Sequence, residues 1–118
     1  MVSECYVINL FGVDTDYYTN EYVGRCWEIA ADEEYQNSKI YVTGRLNISQ
    51  LICGEKRGCT LGRVGHCIVA VRNPTEAPDK EAYRKAIKHV INRTRSLLGN
   101  PNMSVVIEDV EYYFFCQV

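Results

Sequence analysis

The chain has 118 residues, of which 47% are hydrophobic and 24% are charged, and its formal net charge is -2. This length allows one hydrophobic core, so we predict a single domain over residues 1–118. The composition excludes a disordered chain, and no apolar run approaches the roughly 18 residues that a membrane-spanning helix needs.

The first third of the chain is acidic and predicts two strands. Residues 4–13 are rich in β-forming side chains and have no basic start typical of a secretory signal, so we expect a cytoplasmic protein with reduced cysteines. Residues 14–20 are typical of a polar loop. In residues 21–30 the alternation of Val23 with Trp27 and Ile29 predicts a second strand, followed by an acidic loop over residues 31–38.

The middle of the chain predicts a hairpin. Alternating apolar residues over 40–48 indicate a half-buried strand, and residues 61–72 indicate a central strand that is apolar on both faces. Between them, CGEKRGC has the length of a five-residue turn, which would place Cys53 opposite Cys59. We expect free thiols there rather than a disulfide, because a cytoplasmic environment is reducing.

The stretch from Cys53 to Cys67 contains ligand types suitable for zinc, but their spacing is loose. On an extended strand Cys67 would lie roughly 26 Å beyond Cys59, whereas zinc–sulfur bonds are about 2.3 Å long. We therefore predict no bound metal, and no sequence motif indicates a cofactor.

The last third predicts one long helix and a strand. Thr75 or Asp79 can cap a helix that ends before Gly99, and its apolar residues recur at helical spacing. Residues 104–116 are dense in Val, Tyr and Phe and predict a strand. The order β-β-β-β-α-β indicates an α+β fold, a mainly antiparallel sheet with one long helix packed across one face.

The distribution of charge suggests an anionic ligand. Residues 1–40 carry a net charge of -6, residues 41–98 carry +7 and the remainder carries -3. Cations without an acidic partner lie along the helix and on the glycine-rich hairpin, which is typical of proteins that contact phosphate. The predicted ligand-binding residues are Lys56, Arg57, Arg63, His66, Arg84, Lys88, Asn92 and Arg95.

We therefore predict a small binding protein that captures a phosphate-containing ligand, either a nucleotide, a cyclic nucleotide or nucleic acid. Catalytic fingerprints such as the nucleophile elbow, the zinc-protease motif and the phosphate-binding loops are missing, which favours a binding protein over an enzyme. A weaker alternative is a nucleotide-processing enzyme that uses His66 or His89.

A structural alternative explains the same charges by self-association. The acidic block could cover the basic helix face in the same chain or in a second subunit, as in an assembly subunit or accessory protein of a viral particle. The uncovered sheet face, with its aromatic last strand, predicts a homo-oligomer of two or more copies with no membrane partner.

Overall fold

The computed structural model describes residues 1–117 and has the element order β-α-β-β-α-β. The strands form one antiparallel sheet in the order β2-β3-β1-β4, and both helices cover the same face. This is the ferredoxin-like arrangement. The elements are β1 (Val2–Phe11), α1 (Asn20–Ser38), β2 (Arg45–Gln50), β3 (Val64–Val71), α2 (Lys80–Leu97) and β4 (Asn102–Glu111).

β1 is the central strand on which the core is built. Its alternate residues Tyr6, Ile8 and Leu10 are at most 2% exposed, as expected for a strand with one face against helices. Its neighbours are β3 on one side and β4 on the other, both antiparallel. The α+β class and the antiparallel sheet are therefore confirmed.

The strand and loop predicted over residues 21–38 are wrong, because this segment is the helix α1. Thr19 caps the helix by accepting a hydrogen bond from the Tyr22 amide, and buried residues then recur every three or four positions. Ile29, which we assigned to a strand stripe, is instead exposed. The sheet is thus covered by two helices and not by one.

The strand predicted over residues 40–48 begins later, at Arg45. The preceding segment packs against α1, since Trp27 Nε1 donates a hydrogen bond to the Val42 carbonyl at 3.0 Å. Gly44 lets this segment lie close to both Trp27 and β3, because a Cβ there would be 3.1 Å from Trp27 Cε2 and 2.9 Å from Ile68 Cγ2. β2 therefore covers only part of its neighbour β3.

The helix predicted after Asp79 is confirmed as α2. The Asp79 carboxylate accepts hydrogen bonds from the amides of Glu81 and Ala82 at 3.0 and 3.1 Å, and Gly99 follows the helix with a positive φ of 81°. The final strand is shorter than predicted and ends at Glu111. Neither helix in residues 1–117 is long and apolar enough to cross a membrane.

The turn between β2 and β3 contains a disulfide. Cys53 and Cys59 face each other with their Cα atoms 5.7 Å apart, within the usual range for such a bond, and the structure joins them. This corrects our expectation of two free thiols. In the part of the chain that the structure describes, no group of three or more His, Cys, Asp or Glu side chains is placed to hold a metal ion.

Candidate functional site

A cavity of about 550 Å³ opens where β2 stops short of the end of β3. Its volume is within the range of small-molecule sites. We call it the tyrosine-lined cavity. Its lining residues come from the end of α1, the segment before β2, β3, the loop before α2, α2 itself and the residue after β4: Tyr35, Lys39, Ile40, Tyr41, Thr43, Arg45, Val69, Val71, Asn73, Glu76, Ala77, Tyr83 and Tyr112.

Four tyrosines give this cavity an aromatic lining. The rings of Tyr35 and Tyr41 meet edge to face, with centroids 6.3 Å apart. Lys39 Nζ lies 5.7 Å from the centroid of the Tyr35 ring, a distance at which an aromatic face attracts a cation. Tyr83 and Tyr112 complete the set. The cavity is therefore suited to a ligand that carries an aromatic group.

The hydroxyls of Tyr41 and Tyr83 remain protonated at neutral pH. Burial raises the pKa of Tyr41, and the acidic side chains Asp32 and Glu28 raise it further. Burial also raises the pKa of Tyr83, which is only 3% exposed. These hydroxyls are thus hydrogen-bond donors and acceptors and not anions.

Charges of both signs line the same cavity. Arg45 and Glu76 are exposed and form no ion pair within residues 1–117, and Lys39 likewise has no acidic partner there. Arginine can bind a carboxylate through two parallel hydrogen bonds, and glutamate can bind an ammonium group. The cavity can therefore hold a zwitterionic ligand.

Three of the predicted ligand-binding residues lie together in a different place. Arg84, Lys88 and Asn92 line a cavity of about 310 Å³ between α2 and the edge strand β4. We call it the α2–β4 groove. The structure thus brings these three side chains together, and their binding of a ligand stays a prediction.

The hairpin residues lie elsewhere. Arg63 lines a small cavity of about 210 Å³ inside the β2–β3 turn, and Lys56 and Arg57 are exposed at the tip of that turn. β2 and β4 are the two opposite edges of the sheet, roughly 14 Å apart at the usual strand spacing. The hairpin cations and the α2 cations therefore do not converge on one site.

The two remaining predicted residues serve internal contacts. His66 is fully buried with its Nδ1 atom 3.2 Å from Asn20 Oδ1, and burial lowers its pKa. Arg95 Nε donates a hydrogen bond of 2.8 Å to the Pro101 carbonyl and holds the turn after α2.

Acidic side chains of α1 neutralise part of the basic helix face. Arg93 Nε lies 3.1 Å from Glu33, and His89 Nδ1 lies 2.7 Å from Glu34. The self-association alternative anticipated such contacts, and here they occur within one chain. They leave Arg84 and Lys88 without an ion pair among the described residues.

Sequence reasoning missed the tyrosine-lined cavity because it assigned the wrong structure to residues 21–38. Val23, Trp27, Ala30 and Glu34 are spaced as on one helix face, and this signal predicts a helix that ends near Tyr35 and Lys39. No local pattern predicts that Glu76 lies beside them.

One protein-family model, described as SAM lyase, matches residues 1–116. No curated protein matches the chain. Among solved structures, the chain is similar to the de novo designed protein Foldit4, with 13% identity, a TM-score of 0.49, and 95% of this chain and 98% of the other covered.

Two larger proteins are also similar over part of their length. They are a hydantoinase/carbamoylase family amidase from Burkholderia ambifaria, at 12% identity and a TM-score of 0.39, and a putative aminohydrolase from methicillin resistant Staphylococcus aureus, at 14% identity and 0.41. The matches cover 93% and 95% of this chain but only 27% and 30% of theirs.

Proposed function

We propose that this chain, which belongs to the SAM lyase family, cleaves a carbon–sulfur bond of S-adenosylmethionine and that the tyrosine-lined cavity is the site. We place the site in this cavity because it combines tyrosine rings with unpaired charges of both signs. The family name is the reason for preferring an enzyme over the binding protein that we first expected.

The substrate has four features for which the cavity offers partners. Its sulfonium is a cation, which the ring of Tyr41 or Tyr112 can attract, since Lys39 lies over the ring of Tyr35. Its carboxylate is suited to Arg45 and Lys39, and its ammonium group is suited to Glu76. Its adenine can stack on a tyrosine ring.

The reaction makes modest demands on the protein. The carbon–sulfur bond to the amino-acid part breaks with its electron pair going to sulfur, and a carboxylate oxygen of the same substrate bonds to that carbon and closes a lactone. The thioether leaves as a neutral group, so the site needs no general acid to protonate it, and neither water nor a base is consumed. Positive charge at sulfur disappears as the bond breaks, and the apolar side chains of Val69 and Val71 favour that loss of charge because they stabilise a cation less well than water does. The principal task of the cavity is to hold the substrate in its reactive conformation.

The test is an assay with S-adenosylmethionine in water labelled with a heavy oxygen isotope. We expect loss of the substrate and release of a thioether nucleoside, and mass spectrometry at early times should find no label in the first products, since a lyase does not use water. Replacing Arg45 by Met should lower kcat/KM by roughly 10- to 100-fold, because hydrogen bonds to the substrate carboxylate are lost.

Arg25→Met is the matched control. Arg25 lies on the exposed side of α1, pairs with Glu28 and does not line the tyrosine-lined cavity, so its replacement should leave kcat/KM unchanged. Labelled first products would show hydrolysis and contradict a lyase. Equal losses in the two variants would contradict the placement of the site.

Several features that the sequence suggested stay predictions. A cytoplasmic location, self-association through the open face of the sheet, and a role in a viral particle are proposals that need their own experiments. Capture of a phosphate-containing ligand also remains a proposal, and the α2–β4 groove is the place where it can be argued.

A further inference from the structure

The α2–β4 groove lies outside the tyrosine-lined cavity and has one apolar wall. Met103, Val105 and Ile107 are alternate residues of β4 on the face that carries the helices, and Val105 and Ile107 are 39% and 43% exposed. Alternate residues of a strand are about 7 Å apart, so the three side chains provide an apolar surface roughly 14 Å long.

The opposite wall of the groove is cationic. Arg84 and Lys88 are one helical turn apart, a rise of about 6 Å, and Asn92 follows a turn later. Three acids lie near this wall: Glu4 binds Arg72 at 2.7 Å, whereas Glu81 and Asp109 form no ion pair in the described chain. None of them pairs with Arg84 or Lys88, so both cations can contact an anion.

The floor of the groove holds an unpartnered polar group. Tyr6 lines the groove and is only 2% exposed, and its hydroxyl has no hydrogen-bond partner in the described structure. Burial and the charge of Glu4 raise its pKa, so the hydroxyl is protonated at neutral pH, and Arg84 lines the same groove. Buried hydroxyls are normally hydrogen-bonded, and a ligand oxygen would supply the missing partner.

We propose that the α2–β4 groove binds a phosphate monoester, with the phosphate between Arg84 and Lys88 above Tyr6 and the esterified group along Met103, Val105 and Ile107. A phosphate monoester carries a charge of about -1.5 to -2 at neutral pH, which matches two cations better than a single carboxylate does. Because one wall of the groove is apolar, the ligand needs an apolar or aromatic group attached to its phosphate. This site is separate from the proposed lyase site.

The test is calorimetric titration of the full chain with octyl phosphate, adenosine monophosphate and inorganic phosphate. We expect at least one ester to bind, with inorganic phosphate at least about 10-fold weaker because it cannot contact the apolar wall. The ester with the higher affinity shows whether the apolar wall prefers an alkyl chain or a nucleoside. Equal binding of inorganic phosphate and both esters, or no binding of either ester up to about 1 mM, would overturn the proposal.

Variants link the binding to the groove. The double variant Arg84→Met/Lys88→Met should weaken binding of the ester by about 10- to 100-fold, and Tyr6→Phe should weaken it by about 3- to 10-fold. Lys85→Met, on the same helix but outside the groove, should leave the affinity unchanged. An effect of Lys85→Met equal to that of the double variant would place the phosphate elsewhere and contradict the proposal.

The proposed lyase activity and the proposed binding of a phosphate monoester can be rejected independently of each other. Arg84 and Lys88 do not line the tyrosine-lined cavity, so the double variant should retain cleavage of S-adenosylmethionine. Absence of that cleavage in the native chain would reject the lyase without affecting the titration with phosphate esters.

Discussion

Two glycines show opposite consequences of lacking a side chain. Gly24 is in the middle of α1, where a Cβ would make only an ordinary contact of 3.6 Å with Leu46 Cδ2. Gly65 is in β3, where a Cβ would lie 2.8 Å from the Leu10 carbonyl oxygen of the paired strand β1. A methyl group therefore fits at position 24. At position 65 the Leu10 carbonyl oxygen already occupies the space that a methyl group would need.

We expect Gly24→Ala to stabilise the protein by about 0.5–1 kcal/mol, because alanine restricts the unfolded chain and favours the helix. Gly65→Ala should destabilise it by roughly 1–3 kcal/mol, because the strands must move apart to relieve the overlap. Urea unfolding gives both free energies. Changes of the same sign in the two variants would contradict this account of the packing.

At the scale of elements, a buried ion pair joins the ends of β1 and β3. Arg72 Nε and Nη2 donate hydrogen bonds of 2.7 and 3.0 Å to the two carboxylate oxygens of Glu4. Arg72 Nη1 also donates a hydrogen bond of 2.8 Å to the Ala77 carbonyl, which holds the loop before α2. The Arg72 guanidinium lowers the pKa of Glu4, so the carboxylate stays ionised although it is buried.

Arg72→Met alone should cost about 3–5 kcal/mol of stability, because it leaves the Glu4 carboxylate buried without a partner. Adding Glu4→Leu should recover much of this loss, since two apolar side chains of similar size need no partner. A double-mutant cycle measured by urea unfolding tests the coupling. A double variant no more stable than Arg72→Met would show that the hydrogen bond to Ala77 matters more than the ion pair.

At the scale of the whole molecule, the net charge at neutral pH is only -2, and particular buried groups contribute to the response to acid. Burial lowers the pKa of His66 below its ordinary value of 6.5, so the unfolded chain binds a proton that the folded chain excludes. Stability from this group is complete above about pH 6.5 and falls as the pH drops below it. The pKa of Glu4 is lowered from 4.5, so its protonation causes a second loss of stability at lower pH.

We therefore expect the free energy of unfolding to decline in two stages on acidification, the first beginning near pH 6.5 and the second near pH 4.5. His66→Phe should remove the first stage and leave the second. Urea midpoints measured across this range test the prediction. An unchanged midpoint in the native chain between these two values would contradict the contribution of His66.

The sequence by itself determined the elements that local signals specify. The alternation in β1 and the cap and stop residues of α2 act over a few positions, so the strand, the helix and the antiparallel α+β class were predictable. The pairing of Cys53 opposite Cys59 was also predictable from the turn length, whereas their oxidation was not. The grouping of Arg84, Lys88 and Asn92 follows from helical periodicity alone.

Only the tertiary structure decided the rest. Residues 21–38 carry the spacing of a helix face, which we misread as a strand, but that spacing does not show that Trp27 packs against Val42 and Gly44. The tyrosine-lined cavity joins Tyr35 to Glu76 and Tyr112, which are far apart in the chain. The opposite edges of the sheet separate Arg63 from Arg84. Contacts between distant segments depend on how the elements pack, and no short pattern of residues encodes them.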